Sequence, residues 1–227
     1  MVDTPDIASL AALLGDPTRA RMLTLLMSGR AQTATELALE GGVTASTASS
    51  HLARLTLAGL VTIAKQGRHR YFRIAGPEVA AAIEGLMRIA PGSQRHTSPA
   101  RPRDESLRRA RVCYDHMAGQ VAVRLLQRLR EIALIGGEDE TMELTSAGEA
   151  WCNRIGLRLD ALRIGRRRLC RPCLDWSERR THLAGALGAA LLQRLLTLRY
   201  ARREIDGRAL ILSPRGVAFV EQLELPR

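Results

Sequence analysis

Two cysteines separated by two residues lie in the second half of the chain, in the segment Cys170-Arg-Pro-Cys173. Such a pair can bind a thiophilic metal or metalloid, or it can cycle between dithiol and disulfide. The neighbouring Arg167, Arg168 and Arg171 favour the thiolate form. A zinc site normally has four ligands, so this pair needs partners. The candidate partners are Cys113, His116, His182, Asp175 and Cys152.

Two other interpretations of these residues stay open. Lone cysteines are commonly small buried apolar side chains, and each histidine can hydrogen-bond a neighbouring backbone group. An organic ligand could also bind in a cavity walled by Tyr114, Trp151 and Trp176. No cofactor is therefore certain, and a thiophilic metal or metalloid is one candidate. The candidate effector or metal residues are Cys113, His116, Cys170, Cys173 and His182.

A second group of reactive side chains is the hydroxyl-rich stretch "TASTASSHLARLTLAGLV", which begins at Thr44. Thr44 can cap a helix whose apolar residues Ala48, Leu52 and Leu55 follow at helical spacing. A short helix precedes it across the turn "EGGV", and this arrangement predicts a helix-turn-helix. The second helix of that motif enters the major groove, where small hydroxyl side chains permit close approach and donate to phosphates. The predicted DNA contacts on this helix are Thr44, Ser46, Thr47, Ser49, Ser50, His51 and Arg54.

The next segment, "VTIAKQGRHRYFRI", alternates between apolar and polar residues and turns at Gly67, which predicts a β-hairpin. Basic side chains surround the turn and suit a wing placed against the phosphate backbone or in the minor groove. A basic hairpin alone is more often a solvated turn, but its position directly after a helix-turn-helix favours DNA. The predicted contacts on this hairpin are Lys65, Arg68, His69 and Arg70.

The charge of the chain supports a nucleic-acid partner. Its 227 residues include 34 basic and 23 acidic side chains, a formal net charge of +11. Such a protein most often binds nucleic acid, an anionic membrane or an acidic partner. We find no apolar run near the ~18 residues of a membrane helix and no signal-peptide pattern. Four cysteines are too few for a disulfide scaffold, so we expect thiols in a cytoplasmic, nucleoid-associated protein with no membrane partner.

The stretch from Ala90 to Glu105, "APGSQRHTSPARPRDE", is rich in proline and arginine and is typical of a linker. Before it, helix-start signals at Asp16 and Thr33 and a helix-end signal at Gly59 predict four helices, a hairpin and a fifth helix. The predicted domains are 1–90, a linker at 91–103 and a second domain at 104–227.

The second domain contains an internal repeat. From His116, "HMAGQVAVRLLQRL" aligns with "HLAGALGAALLQRL" from His182, and eight of fourteen positions are identical, which exceeds what composition alone gives. Further on, "LTSAGEAWCNRIGL" aligns with "LSPRGVAFVEQLEL". We predict a duplicated helix–hairpin–helix unit, with copies at about 116–157 and 182–225, whose two copies bury each other. This pairing would bring His116 and His182 together. The fold class is thus mainly α with small β-hairpins (α+β).

Residues 6–90 resemble the winged-helix domain of ArsR-family bacterial transcriptional repressors. The resemblance is carried by "ALLGDPTRARMLTLL", "TATELA", "TASTASSHLARLTLAGLV" and "GRHRYFRI". It implies a homodimer built on the first and last helices of this domain, here Ile7–Leu14 and Glu78–Met87. It also implies repression of an adjacent operon until an effector releases the DNA.

The chain departs from that family at its metal sites. The helix before the recognition helix, "ELALEGG", lacks the Cys-x-Cys motif of the metal-sensing branch. The last helix, "EVAAAIEGLMRIA", lacks the Asp and His ligands of another family site. The second domain also makes the chain longer than a minimal member, and it looks like that of a longer subgroup. The arginine-rich run from Arg163 to Arg171 could contact flanking DNA or form a solvated face.

The sequence therefore predicts a sequence-specific DNA-binding regulator, a homodimeric repressor released from its operator by an effector sensed in the second domain. One alternative is a thiol-based redox or metal(loid) sensor that uses Cys170 and Cys173. A thiol-disulfide oxidoreductase is less favoured because no βαβ pattern surrounds this pair. A nucleoid-architectural protein is less favoured because it would need no duplicated module. We expect no enzyme activity.

Overall fold

The structure is a computed structural model that describes residues 6–66, 69–90, 102–164, 167–204 and 207–224. The chain divides into two compact units, Met1–Glu84 and Gly85–Arg227. The boundary between them falls inside the helix Pro77–Ile89. Most of the predicted linker, residues 91–101, lies outside the described residues, and a helix begins at Pro102.

The N-terminal part of the chain, up to the end of the helix Pro77–Ile89, is mainly helical. It contains one small antiparallel sheet with the strand order β1-β3-β2. Its elements are α1 (Ile7–Leu14), α2 (Pro17–Leu26), β1 (Gln32–Thr33), α3 (Ala34–Gly41), α4 (Ala45–Leu57), β2 (Val61–Gln66), β3 (His69–Ile74) and α5 (Pro77–Ile89). The predicted order of helices and hairpin is confirmed. The short strand β1 was not predicted, because two residues carry no periodicity and only pairing with β3 defines them.

Local capping sets the limits of these helices. The Asp16 carboxylate accepts a hydrogen bond from the Arg19 amide at 2.9 Å and starts α2. At the start of α3, Thr33 and Glu36 form the reciprocal capping box that the sequence predicts. Gly59 has a φ of +70° directly after α4, a conformation that glycine adopts without steric cost. These short-range signals are why the sequence predicted the element boundaries here.

The core of the first unit lies between α2, α3, α4 and the β2–β3 hairpin. Apolar side chains from each of these elements are almost fully buried, namely Met22, Leu23, Leu26, Leu37, Ala48, Leu52, Leu55, Val61, Phe72 and Ile74. The buried side of α4 holds its apolar residues, so its hydroxyl-bearing side faces outward. A helix-turn-helix followed by a β-hairpin wing is therefore present.

The second unit alternates short hairpins with helices. Its elements are α6 (Pro102–Arg109), β4 (Arg111–Cys113), β5 (His116–Ala118), α7 (Gln120–Glu131), β6 (Ile135–Gly136), β7 (Glu143–Leu144), α8 (Ser146–Arg154), α9 (Leu159–Arg163), β8 (Arg171–Leu174), β9 (Thr181–Ala184), α10 (Gly185–Thr197), β10 (Ala201–Arg203), β11 (Leu210–Leu212) and α11 (Pro214–Gln222). The order helix, hairpin, helix, hairpin, helix thus occurs twice.

One apolar core runs through both halves of this unit. It contains the leucines of α7 (Leu125, Leu126 and Leu129) together with Leu187 and Leu191 of α10. Helix α7 packs against β9 and α10 packs against β5, so each half contacts the hairpin of the other. The hairpins β4–β5 and β8–β9 were not predicted, because strands of three or four residues are too short to show alternation. Within the described residues, no helix has the length and apolar character needed to cross a membrane.

Candidate DNA-binding surface and buried cysteine–histidine cluster

The outward face of α4 consists of small polar side chains. Ser46, Ser49, Ser50 and Arg54 are exposed, and Thr44 and Thr47 are exposed at the helix start. Thr44 is the N-cap, and its hydroxyl lies 3.0 Å from that of Thr47. The Ser49 hydroxyl donates to the Ala45 carbonyl at 2.9 Å. Small side chains at these positions allow a DNA backbone to approach the helix closely.

His51 differs from its neighbours on this helix because it faces α2. Its Nδ1 lies 3.2 Å from an Arg19 guanidinium nitrogen and 3.8 Å from an Asp16 carboxylate oxygen. Arg19 in turn donates to the carbonyls of Leu13 and Ala12 at 2.6 and 3.0 Å. The structure therefore places His51 in a contact between helices rather than on the exposed face predicted for it. Helical spacing alone does not reveal this, since the partner Arg19 is 32 residues away.

The β2–β3 hairpin carries exposed basic side chains. Lys65 and Arg70 are exposed and face each other directly across the two strands. They lie on the same face as the buried pair Val61 and Ile74, but nearer the tip. Like charges directly opposite repel each other, and an anion between them removes that repulsion. Arg68 and the side chain of His69 lie outside the described residues.

Four of the five candidate effector residues converge in the second unit. One possible ligand atom from each of Cys113, His116, Cys173 and His182 lies within 4.8 Å of all the others. The Nε2 atoms of the two histidines are 3.2 Å apart, and their rings stack with centroids 5.1 Å apart. His182 is fully buried, and His116 and Cys113 are buried. Residues 113 and 182 are far apart in sequence, so tertiary packing alone assembles this cluster.

A carboxylate lies beside the other ring nitrogen of each histidine. Nδ1 of His116 is 3.2 Å from an Asp115 oxygen, and Nδ1 of His182 is 3.5 Å from an Asp175 oxygen. Asp175 is fully buried, and its carboxylate accepts from Arg111 at 2.9 Å and from the Gly119 amide at 2.6 Å. Sequence reasoning named Asp175 but missed Asp115. The signal was present, because "CYD" and "CLD" place an aspartate two residues after each cluster cysteine.

The cluster shifts the pKa values of its members. Contact with the Cys113 side chain lowers the pKa of the Cys173 thiol far below its usual range; burial opposes this, and both histidines reinforce it. Burial would lower the pKa of His116, but the Asp115 carboxylate and Cys173 together raise it to about 9. Burial would raise the pKa of Asp175, but Arg111 and the Gly119 amide lower it instead. The cluster thus favours a thiolate at Cys173, an imidazolium at His116 and a carboxylate at Asp175.

Cys170 lies apart from Cys173, contrary to the expectation that the two act as a pair. Cys173 is within β8, whereas Cys170 precedes the strand and is not in the cluster of four ligand atoms. Cys170 is in the apolar core, where burial raises the pKa of its thiol to about 11. Burial likewise raises the pKa of Cys152 to about 12. All four cysteines are thiols, but these two have the character of unreactive core residues.

The aromatic side chains considered as cavity walls are packed against protein. Trp151 is buried, donates to the Leu223 carbonyl at 2.7 Å and stacks near Phe219. The guanidinium of Arg111 lies 4.5 Å from the ring centre of Trp176. A cavity of about 10 Å³ lies between the halves, next to Met117 and Leu183, and holds at most one water. The cavity next to Met117 and Leu183 is therefore too small for an organic ligand.

The arginine-rich run from Arg163 to Arg171 forms ion pairs within the second unit. Arg163 pairs with Glu149, and Arg167 pairs with Asp115. Arg168 donates to the Glu140 carbonyl at 3.4 Å. These contacts account for part of the run without DNA.

Known proteins resemble this chain over different lengths. Residues 14–64 match the family described as "Helix-turn-helix domain". The chain is 40% identical over 222 residues to the uncharacterized HTH-type transcriptional regulator YdfF of Bacillus subtilis (strain 168), covering 97% of this chain and 98% of that protein. It is 35% identical over 83 residues to the HTH-type transcriptional regulator CmtR of Mycobacterium tuberculosis (strain ATCC 25618 / H37Rv), covering 37% of this chain and 70% of that protein.

A solved structure also matches the first part of the chain. It is the homodimeric winged helix-turn-helix DNA-binding domain of Mb0332 from Mycobacterium bovis, a possible ArsR-family transcriptional regulator. The two sequences are 27% identical, the match covers 42% of this chain and 88% of that one, and the TM-score is 0.37. The similarity to YdfF spans almost the whole chain, and the helix-turn-helix contains the sequence motifs that resemble the ArsR family. This protein therefore belongs to the ArsR-family HTH-type transcriptional regulators and is a DNA-binding regulator of transcription.

Proposed function

We propose that this regulator is a homodimeric repressor that reads a palindromic operator with α4 and contacts the flanking phosphates with the β2–β3 hairpin. The observation that carries the proposal is the exposed hydroxyl face of α4 beside the exposed Lys65 and Arg70. Hydroxyl groups at the start of a recognition helix reach base edges and phosphates, while basic hairpin residues neutralise the backbone. The proposed DNA contacts on α4 are Thr44, Ser46, Thr47, Ser49, Ser50 and Arg54. His51 is instead a support that fixes α4 on α2.

Exposed apolar side chains support a second copy as partner of the first unit. Helix α1 has no buried residue, and Ile7 and Leu10 are 73% and 40% exposed. Leu86 and Ile89, in the end of α5 that lies beyond the unit boundary at Glu84, are 44% and 74% exposed. Apolar helices left in water are typical of interaction surfaces, and a two-fold dimer presents two recognition helices to successive major grooves. Helices α1 and α5 therefore form the proposed dimer contact.

The second unit is the proposed effector module, made of two copies of one ancestral helix–hairpin–helix unit. The repeated order of elements and the matching sequences from His116 and His182 support the duplication. Release from DNA requires an effector with different affinity for two conformations of the dimer. The burial of Cys170 argues against a thiol-disulfide enzyme built on Cys170 and Cys173.

The DNA contacts are tested by anisotropy titrations of the chain's own upstream DNA against an unrelated duplex at several salt concentrations. Lys65→Ala and Arg70→Ala should weaken binding to both DNAs, and each should reduce the salt slope by about one unit because one phosphate contact is lost. Ser50→Ala should instead reduce the preference between the two DNAs. The matched control is Arg202→Ala, an exposed arginine of the second unit.

Two results would contradict the proposal. One is an equal loss of affinity and salt slope in the Arg202→Ala control, which would mean that only net charge matters. The other is wild-type protein that binds both DNAs equally, which is the behaviour of an architectural protein.

A further inference from the structure

Each half of the second unit contributes one cysteine and one histidine from equivalent positions of a hairpin. In β4–β5, Cys113 is the direct cross-strand partner of His116, and in β8–β9, Cys173 is that of His182. Directly opposite residues of an antiparallel pair point to the same face of the sheet. Each hairpin therefore presents a sulfur and an imidazole side by side, and the two hairpins meet face to face.

The histidine orientations direct the Nε2 atoms of His116 and His182 at each other between the hairpins. A carboxylate beside Nδ1 favours the tautomer with hydrogen on Nδ1, which leaves the lone pair on Nε2. Both Nδ1 atoms lie near a carboxylate, at 3.2 Å for Asp115 and 3.5 Å for Asp175. The two Nε2 lone pairs then point at each other across 3.2 Å in a buried site. A proton on one Nε2 bridges the two rings in the absence of metal, and a metal ion bound to both Nε2 atoms can take its place.

We propose that Cys113, His116, Cys173 and His182 bind one zinc ion that joins the two halves of the second unit. In a tetrahedral site with Zn–N distances near 2.05 Å, two imidazole nitrogens are about 3.3 Å apart. The observed Nε2 separation is 3.2 Å. With Zn–S distances near 2.3 Å the remaining pairs are about 3.6–3.8 Å apart. The four ligand atoms, all within 4.8 Å, need only small shifts to reach these values.

The ligand set indicates which metal binds, and the burial of the site indicates what role that metal has. Two sulfurs and two nitrogens in a tetrahedron are typical of zinc. Two thiolates neutralise the charge of Zn²⁺, so no net charge is left in a site whose histidines are 6% and 0% exposed. With four protein ligands no position remains for water or substrate, which is the character of a structural site. The zinc thus clamps β4–β5 to β8–β9, and this role does not depend on DNA binding.

The test is the metal content of the purified full-length protein, measured by mass spectrometry under native conditions and by elemental analysis. We expect one zinc per chain. After removal of zinc, Co²⁺ should give the visible absorption of a tetrahedral site together with a thiolate charge-transfer band. The double variant Cys113→Ser/Cys173→Ser should lose both the zinc and the charge-transfer band.

The chain provides a matched control in its other two cysteines. Cys152→Ala/Cys170→Ala also removes two thiols from the second unit, but neither residue is in the cluster. It should keep one zinc per chain. Equal loss of zinc in both double variants would overturn the proposal.

The wild-type measurements decide the question even if the Cys113→Ser/Cys173→Ser variant does not fold. Folded wild-type protein that retains no zinc in the presence of excess Zn²⁺ would overturn the proposal. A Co²⁺ spectrum of an octahedral site, or one without a thiolate band, would do the same. The single variant His116→Gln gives a further check, because it should keep the thiolate band and shift the visible absorption.

Discussion

Asp115 and Asp175 contact the two cluster histidines in different ways, since Asp115 hydrogen-bonds His116, whereas the Asp175 oxygen lies 3.5 Å from Nδ1 of His182 without a hydrogen bond. Asp115 lies in the tight turn between β4 and β5, and it also pairs with Arg167. Asp175 is fully buried, and it also receives hydrogen bonds from Arg111, Ser177 and Gly119. Carboxylates of this kind fix the ring orientation of a metal-binding histidine and raise its basicity. Asp175 is also part of the folded core, so Asp115 is the better position at which to test this effect.

Asp115→Asn should weaken zinc binding by about 10–100-fold, because the amide orients His116 less strongly than a carboxylate does. The measurement is competition for zinc against a chromophoric chelator, with wild type as reference. Glu140→Gln is the control, since it removes one negative charge from the same unit outside the cluster. If the two variants lost zinc affinity equally, general electrostatics would explain the change and the role of Asp115 would be refuted.

Two glycines allow the hairpins β4–β5 and β8–β9 to turn directly into the helices that follow them. Gly119 precedes α7 with a φ of +91°, and Gly185 begins α10 with a φ of +85°. A Cβ at Gly119 would lie 2.5 Å from the Arg108 carbonyl oxygen, and one at Gly185 would lie 2.6 Å from that of Leu169. Both belong to the repeated "H-x-A-G" motif, so the same close approach occurs once in each half.

Gly119→Ala and Gly185→Ala should each lower the free energy of unfolding by about 1–3 kcal/mol, because of the positive φ and the collision with backbone. Urea denaturation followed by tryptophan fluorescence measures this, since both tryptophans, Trp151 and Trp176, are in the second unit. Gly136→Ala is the control, because its Cβ would meet only a Thr145 methyl at 3.4 Å. A loss of stability at one of the two positions alone would count against equivalent halves.

The regulator as a whole combines a DNA-binding unit with exposed apolar helices and a second unit with its own core. A DNA-binding unit that dimerises contacts two half-sites at once, so its operator affinity depends on assembly as well as on contacts. The apolar side chains of α1 are the most direct place to separate these two contributions, because none of them is buried in the described part of the chain.

Ile7→Asp/Leu10→Asp should convert the proposed dimer to monomer and reduce operator affinity by about 10²–10⁴-fold, because the second half-site no longer binds with the first. Analytical ultracentrifugation gives the assembly state and anisotropy gives the affinity. Ile164→Asp is the control, since Ile164 is 86% exposed and lies in the second unit. The Ile7→Asp/Leu10→Asp variant should keep the metal content of the wild type. A wild-type protein that is monomeric when bound to its operator would refute the dimer.

Much of the first unit could be predicted because its signals are local. Asp16, Thr33 and Gly59 determine helix ends through hydrogen bonds or conformations within a few residues. The alternation of β2 and β3 likewise lies within one hairpin. His51 shows the limit of this reasoning, because its ring turns toward Arg19 on another helix.

The sequence by itself determined the helix-turn-helix, its hydroxyl face, the hairpin that follows and the internal similarity from His116 and His182. Only the tertiary structure decided which cysteines lie close together. The spacing Cys170-x-x-Cys173 suggested a pair, but Cys170 precedes β8 and its side chain lies in the apolar core. Cys173 meets Cys113 instead, 60 residues earlier, because the two hairpins pack against each other. Contacts between distant segments depend on how whole elements bury their apolar faces, and no short stretch of sequence encodes that.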